Sequence, residues 1–244
     1  ELGSTPGIGF NYSKGPGSLS FNANAAGSFG VGLGLDGKSL SLGIQGTNEG
    51  YLDLTYDDVS FATRINRSDK TGTLAFAYGD KSIDFGVETD GGYLNLELSS
   101  DLKFETGFNT AGSAYLGIVS GSNEFSLSGD KSTGAGAIAL KVDGLDMSLD
   151  ANTTDNSAFF TINTGGIDLN VGGEAGKSGL FHLAENGNEY DLAVDLESNS
   201  GNIGYVFNGG SDYFKAALID GENGTLSFKH DENEFSLYGN ASGT

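Results

Sequence analysis

The sequence predicts an all-β protein, a large antiparallel meander of about 20–22 short strands folded as a two-layer sandwich or flattened tube. Three observations predict it. Apolar residues alternate with small polar ones in short runs along the whole chain. Each run closes on Gly, Asp or Asn, and the pattern returns about every eleven residues, the spacing of strands joined by tight turns. Gly supplies 41 of 244 residues whereas Pro supplies only 2, which suits turns and close packing in a sheet and excludes a Pro-rich linker. A period of two places Leu, Ile, Val and Phe on one side of a strand and Ser, Asp, Asn and Gly on the other. No stretch of useful length carries the helical period.

The elements follow in order. Gly7 to Tyr12 reads as a first strand, with Lys14 and Pro16 just beyond it. Phe29 to Leu35 alternates apolar side chains with bare glycine, and Asp36-Gly37 then turns the chain into Ser39-Leu40-Ser41-Leu42-Gly43-Ile44. Ser82 to Val87 alternates in the same way, and Asp90-Gly91 turns it into Asn95-Leu96-Glu97-Leu98. Asp143-Gly144, Gly165-Gly166, Asn186-Gly187, Asn208-Gly209, Asp220-Gly221 and Asn223-Gly224 mark later turns, because these pairs tolerate the positive φ of two-residue hairpins. Asn123-Glu124-Phe125-Ser126-Leu127 returns as Asn233-Glu234-Phe235-Ser236-Leu237, and more loosely as Asn188-Glu189-Tyr190-Asp191-Leu192. The returns fall near even multiples of the strand period, as duplicated hairpins would. No linker or change of composition interrupts the pattern, so residues 1–244 read as one repetitive domain.

Something must cover the apolar side. Some twenty-two strands about 4.8 Å apart make a sheet roughly 100 Å wide. Its apolar face exceeds roughly 2,000 Å², whereas soluble monomers expose a few hundred. A closed barrel of that girth is too wide for side chains to fill. An outer-membrane barrel has the right alternation, but runs of about seven residues at the usual tilt are short for the apolar band, and aromatic girdles are missing. The chain folding on itself, or another copy, remains. The two end strands carry few of the Lys, Pro or bulge devices that blunt open edges, so edge-to-edge growth is expected.

Charge narrows the partners. Asp and Glu total 33 against 12 Lys and Arg, for a formal charge of −21, which repels nucleic acid and anionic lipid. Cys is absent, so disulfides play no part. The chain opens at Glu1 in a polar stretch, as an exported protein does after leader removal, and an extracellular or cell-surface location is expected. Sequons at Asn11, Asn66, Asn152, Asn223 and Asn240 are glycosylation candidates consistent with export.

Little else carries chemistry. Gly32-Leu33-Gly34-Leu35-Asp36-Gly37-Lys38-Ser39 matches the phosphate-binding pattern, but that motif needs a helix to follow and here an alternating strand follows. His182 and His230 stand in different strands without Cys to join them. Asp57-Asp58, Asp143 with Asp146 and Asp150, and Asp231-Glu232 with Glu234 offer hard oxygen ligands for Ca²⁺ bridging between molecules, against the plainer reading of a solvated acidic surface. No catalytic group and no cofactor are expected.

Gly-rich, Cys-free acidic hairpins, as at Asn123 to Leu127, Asn233 to Leu237 and Phe29 to Leu35, resemble the amyloid-like tubular sheath proteins that encase filamentous methanogenic archaea. The resemblance covers the whole chain in composition and repeat style. It implies a structural protein whose sheets join laterally into hoops that stack into a tube. The function expected is a self-assembling layer or sheath protein, a homopolymer grown through sheet edges and stacked layers. A surface adhesin or binding module, or an outer-membrane barrel, is the alternative.

Overall fold

The structure is a computed structural model that describes residues 6–240. The chain divides into two compact units, Glu1–Gly121 and Ser122–Thr244. In the first, β1 (Gly7–Lys14), β2 (Gly17–Asn24), β3 (Phe29–Leu35), β4 (Lys38–Gln45), β5 (Glu49–Tyr56) and β6 (Val59–Asn66) are followed by β7 (Thr71–Tyr78), β8 (Lys81–Glu88), β9 (Gly91–Ser99), β10 (Leu102–Asn109) and β11 (Ser113–Ser120). In the second, β12 (Asn123–Asp130), β13 (Ala135–Val142), β14 (Leu145–Asn152), β15 (Ser157–Thr164), β16 (Ile167–Glu174) and β17 (Ser178–Glu185) precede β18 (Asn188–Asp195), β19 (Ser200–Phe207), β20 (Asp212–Ile219), β21 (Asn223–His230) and β22 (Asn233–Asn240). A single 3₁₀ turn, Asn208–Gly210, separates β19 from β20. The all-β antiparallel meander is therefore what the alternation predicted, with twenty-two strands among the described residues.

Turn chemistry sets the strand ends. Asp36 (φ 53°) and Gly37 (φ 77°) both take the left-handed region, as a type I′ hairpin requires, and Asp143-Gly144, Asn186-Gly187 and Asp220-Gly221 do the same. Two expected turns move. Asn223-Gly224 opens β21 and Gly91 opens β9, because a neighbouring pair has already reversed the chain in the first case and strand pairing claims the glycine in both. In the β9–β10 ladder a bulge interrupts the register, where Leu102 faces Ser99 while Lys103 faces Glu97, leaving Leu98 as the extra residue of β9.

Register is the feature that positions everything else. Within the first unit one row runs Tyr12, Leu19, Leu33, Leu40, Leu54, Phe61, Phe76, Ile83, Leu96, Phe104, Ile118. Within the second, a row runs Leu127, Ile138, Leu149, Phe160, Val171, Phe181, Leu192, Ile203, Ala216, Leu226, Leu237. Each unit thus has one apolar face and one polar reverse. The rows do not drift along the strands. Ile8, second in β1, lines up through ten pairings with Ala114, second in β11, and Phe125, third in β12, lines up with Phe235, third in β22.

The expected two-layer sandwich or flattened tube is not found within either unit. Among the described residues of each, a strand touches only its sequence neighbours, apart from the contacts of the 3₁₀ turn. The loops explain it: within each unit every connection between described strands is a short hairpin, so each strand returns beside the last one and does not cross to a second layer of that unit. A tube would also need staggered, tilted strands, and the straight rows supply no stagger. The consequence is a sheet without a core. No hydrophobic residue among those described is buried. Cross-strand pairs, at about 0.2–1 kcal/mol each, take the place of core packing as the unit of stabilisation.

Candidate functional site

The apolar face is the largest chemical feature of each unit. Phe76 is 41% exposed, Leu33 48%, Ile203 51% and Leu192 52%, although each sits in the middle of a row. Among the described strands of the first unit this face carries no Asp or Glu, because every carboxylate falls on the alternate positions or in a turn. Lys14, Lys38 and Lys81 mark one margin of it, and Lys38 lies 3.9 Å over the Tyr56 ring and 3.7 Å from Asp57. In the second unit Glu185 and Asp212 stand at the margin, and the Tyr190 and Tyr205 rings stack at 4.5 Å.

The reverse face gathers the charge. Asp53, Asp84, Glu97 and Glu105 in the first unit, and Asp146, Asp150, Asp168 and Asp191 in the second, all point there by register. Arg64 donates to Asp53 Oδ2 at 2.9 Å, and this bond raises the pKa of the guanidinium. His182 Nδ1 meets Asp191 Oδ1 at 2.6 Å across β17 and β18, a bond that raises the imidazole pKa. Aromatic rings on this side lie over glycines of the facing strand. A Cβ on Gly86 would overlap the Tyr93 ring, and one on Gly107 would lie 2.5 Å from Tyr115 Cε1. Partial burial of this kind is the main cause of the raised Tyr93 pKa.

The Ca²⁺ candidates are dispersed. Asp57-Asp58 forms the β5–β6 turn and Asp143 the β13–β14 turn. Asp146 and Asp150 share a side of β14 but are four residues apart, about 13 Å, too far to share an ion. Asp146 faces Lys141, and Asp150 accepts from Ser148 Oγ at 3.2 Å. Asp231-Glu232 makes the β21–β22 turn, and among the described residues it is there that three ligand atoms converge. Asp212, His230 and Asp231 present theirs within 4.8 Å of one another. Sequence reasoning missed Asp212, which has no acidic neighbour in the chain and meets Asp231 only through strand register. Its carboxylate, 1% exposed, accepts the Asp231 N–H at 2.8 Å, meets His230 Nδ1 at 3.1 Å and accepts from the Asn208 amide. The Asp231 N–H is the main reason its pKa is lowered. The cluster closes on itself, tying the 3₁₀ turn to the last hairpin.

Four sequon asparagines have side chains already engaged. Asn66 donates to Glu49 at 3.0 Å, Asn152 accepts the Thr154 N–H at 2.8 Å, and Asn223 accepts from Tyr238 at 2.8 Å and from Asn240 at 2.9 Å. Asn11 lies exposed on the reverse side of β1, and Ser242 of the last sequon falls outside the described residues. The phosphate-like run Gly32 to Ser39 spans β3, a hairpin turn and β4, with no helix to present N–H groups. No protein-family model matches this chain, no curated protein matches it, and neither comparison identifies a sheath family.

Proposed function

We propose that this chain is a structural protein of an extracellular layer or sheath, built by association of like copies, with no catalytic role. One observation carries the reading: each unit presents a continuous apolar face that nothing within that unit covers. Edges support it. Among the described residues β1 pairs only with β2 and β22 only with β21, and both end strands are exposed almost throughout. An unblunted edge is a template for another strand. Lateral growth through these edges would give sheets or hoops of the kind the sheath resemblance implies.

Two other readings are weaker. A binding module would use a built pocket, and a hollow of about 630 Å³ around Tyr12, Leu19, Leu33, Leu40 and Leu54 is an open stretch of the apolar face itself. An outer-membrane barrel requires staggered register, whereas the rows of both units run straight. Negative-stain microscopy and sedimentation of the full chain test the proposal. Ribbons, hoops or tubes that lengthen with concentration are expected. A strictly monomeric species at high concentration, with and without Ca²⁺, overturns it.

A further inference from the structure

We infer that the apolar face binds a second copy of this chain, apolar face to apolar face, and that assemblies therefore stop at two layers. This deepens the proposed function by naming the occupant of one surface, and rests on it only in that like copies associate.

Area comes first. Eleven strands at about 4.8 Å, with three apolar rows about 7 Å apart, give each unit a face of roughly 1,000 Å². Apposing two such faces removes roughly 2,000 Å² from water, already at the upper end of a standard stable interface. Charge then selects the side. Charged residues on the described apolar faces stand at one margin, Lys14, Lys38 and Lys81 in the first unit and Glu185 and Asp212 in the second, so the inner rows bring no like charges together, while two reverse faces meeting would bring Asp53, Asp84, Asp146 and Asp150 against their like. Growth in thickness thus ends after one pairing.

Shape selects the partner. Straight, unstaggered rows repeat at the strand spacing, so an identical sheet matches them in register. Over β13–β16 the second unit also tapers across its strands. One margin carries Gly136, Ala151 and Ala158, and the other Val142, Leu145 and Ile167. A two-fold axis along the rows lays the small margin of one copy on the bulky margin of the next, and the layers then pack at an even separation of about 10 Å.

The test uses the full chain at low ionic strength, with thickness read by cryo-electron microscopy and mass by analytical ultracentrifugation. Two layers about 10 Å apart are expected. The double variant Leu149→Lys, Phe181→Lys, on the apolar face, is expected to halve the thickness with the circular dichroism of the sheet unchanged, while Ser148→Lys on the reverse leaves two layers. A two-layer dimer that never lengthens supports this inference and refutes the proposed polymer. Long single-layer ribbons do the reverse. Stacks of more than two layers, a double variant that still pairs, or a monomer that instead floats with phosphatidylcholine vesicles would each overturn it.

Discussion

Replacing Leu192 by Ala measures directly whether its face is covered. Leu192 lies mid-row in β18 and is 52% exposed. Full burial of a Leu side chain stabilises by about 2 kcal/mol, so the half that is shielded here contributes ~1 kcal/mol. A closed core adds a cavity penalty that takes the total to about 2–5 kcal/mol, but an open face has no cavity to leave. Urea unfolding followed by circular dichroism, at protein concentrations low enough to separate copies, should therefore show a loss of ~1 kcal/mol. At high concentration the same substitution should cost about 2 kcal/mol or more, because the paired layer encloses the site. A loss of about 3 kcal/mol or greater at the lowest concentration would mean that the isolated chain covers this face itself, and the argument from an open sheet would fail.

Gly86→Val should destabilise by about 1–3 kcal/mol through displacement of the Tyr93 ring, and Tyr93→Ala in the same chain should recover part of the loss in a denaturation double-mutant cycle. The raised pKa of His182 makes its pair with Asp191 stabilising below the unfolded value near 6.5, and that contribution disappears as pH rises through the folded value. Because both side chains are about a third exposed, the effect should be a few tenths of a kcal/mol, visible as a pH-dependent melting temperature that Asp191→Asn abolishes. Asp212, whose pKa is lowered, contributes above its unfolded value and less as pH falls through the folded one, so the hydrogen-exchange protection factor of the Asp231 N–H, taken relative to the intrinsic rate at each pH, should fall in acid and in Asp212→Ala. Lys at Asn11 and Ser236, on the reverse side of the two end strands, should shorten assemblies seen by microscopy without changing their thickness.

Alternation made the strands readable because it reports side-chain direction residue by residue. Ser39 to Ile44 became β4 within one residue at each end, and Ser82 to Val87 became β8 in the same way. What the pattern does not contain is the neighbour of each strand on its free side. It shows that Leu33 and Leu192 share one kind of face, but not whether a second layer lies over either one within its own unit, and within each unit none does. The same limit hid Asp212, whose meeting with His230 and Asp231 depends on two hairpin registers. It hid the ring of Tyr93 over Gly86 as well, since only the β8–β9 pairing sets them opposite each other. Asn223-Gly224 misled for a local reason: a good turn dipeptide stands three residues beyond another one, and only one of them can reverse the chain.

Contacts restricted to adjacent strands also decide how each unit responds to load. Tension applied across its breadth, from first strand to last, falls on one hairpin ladder at a time, so bonds part in succession. Each strand peeled away frees about eleven residues, or roughly 35 Å of extended backbone, while the strands still paired keep their full set of contacts. A wall made of such units would lengthen in small steps under strain, and each freed hairpin, closing in about 1–10 μs, would re-form beside a template already in place.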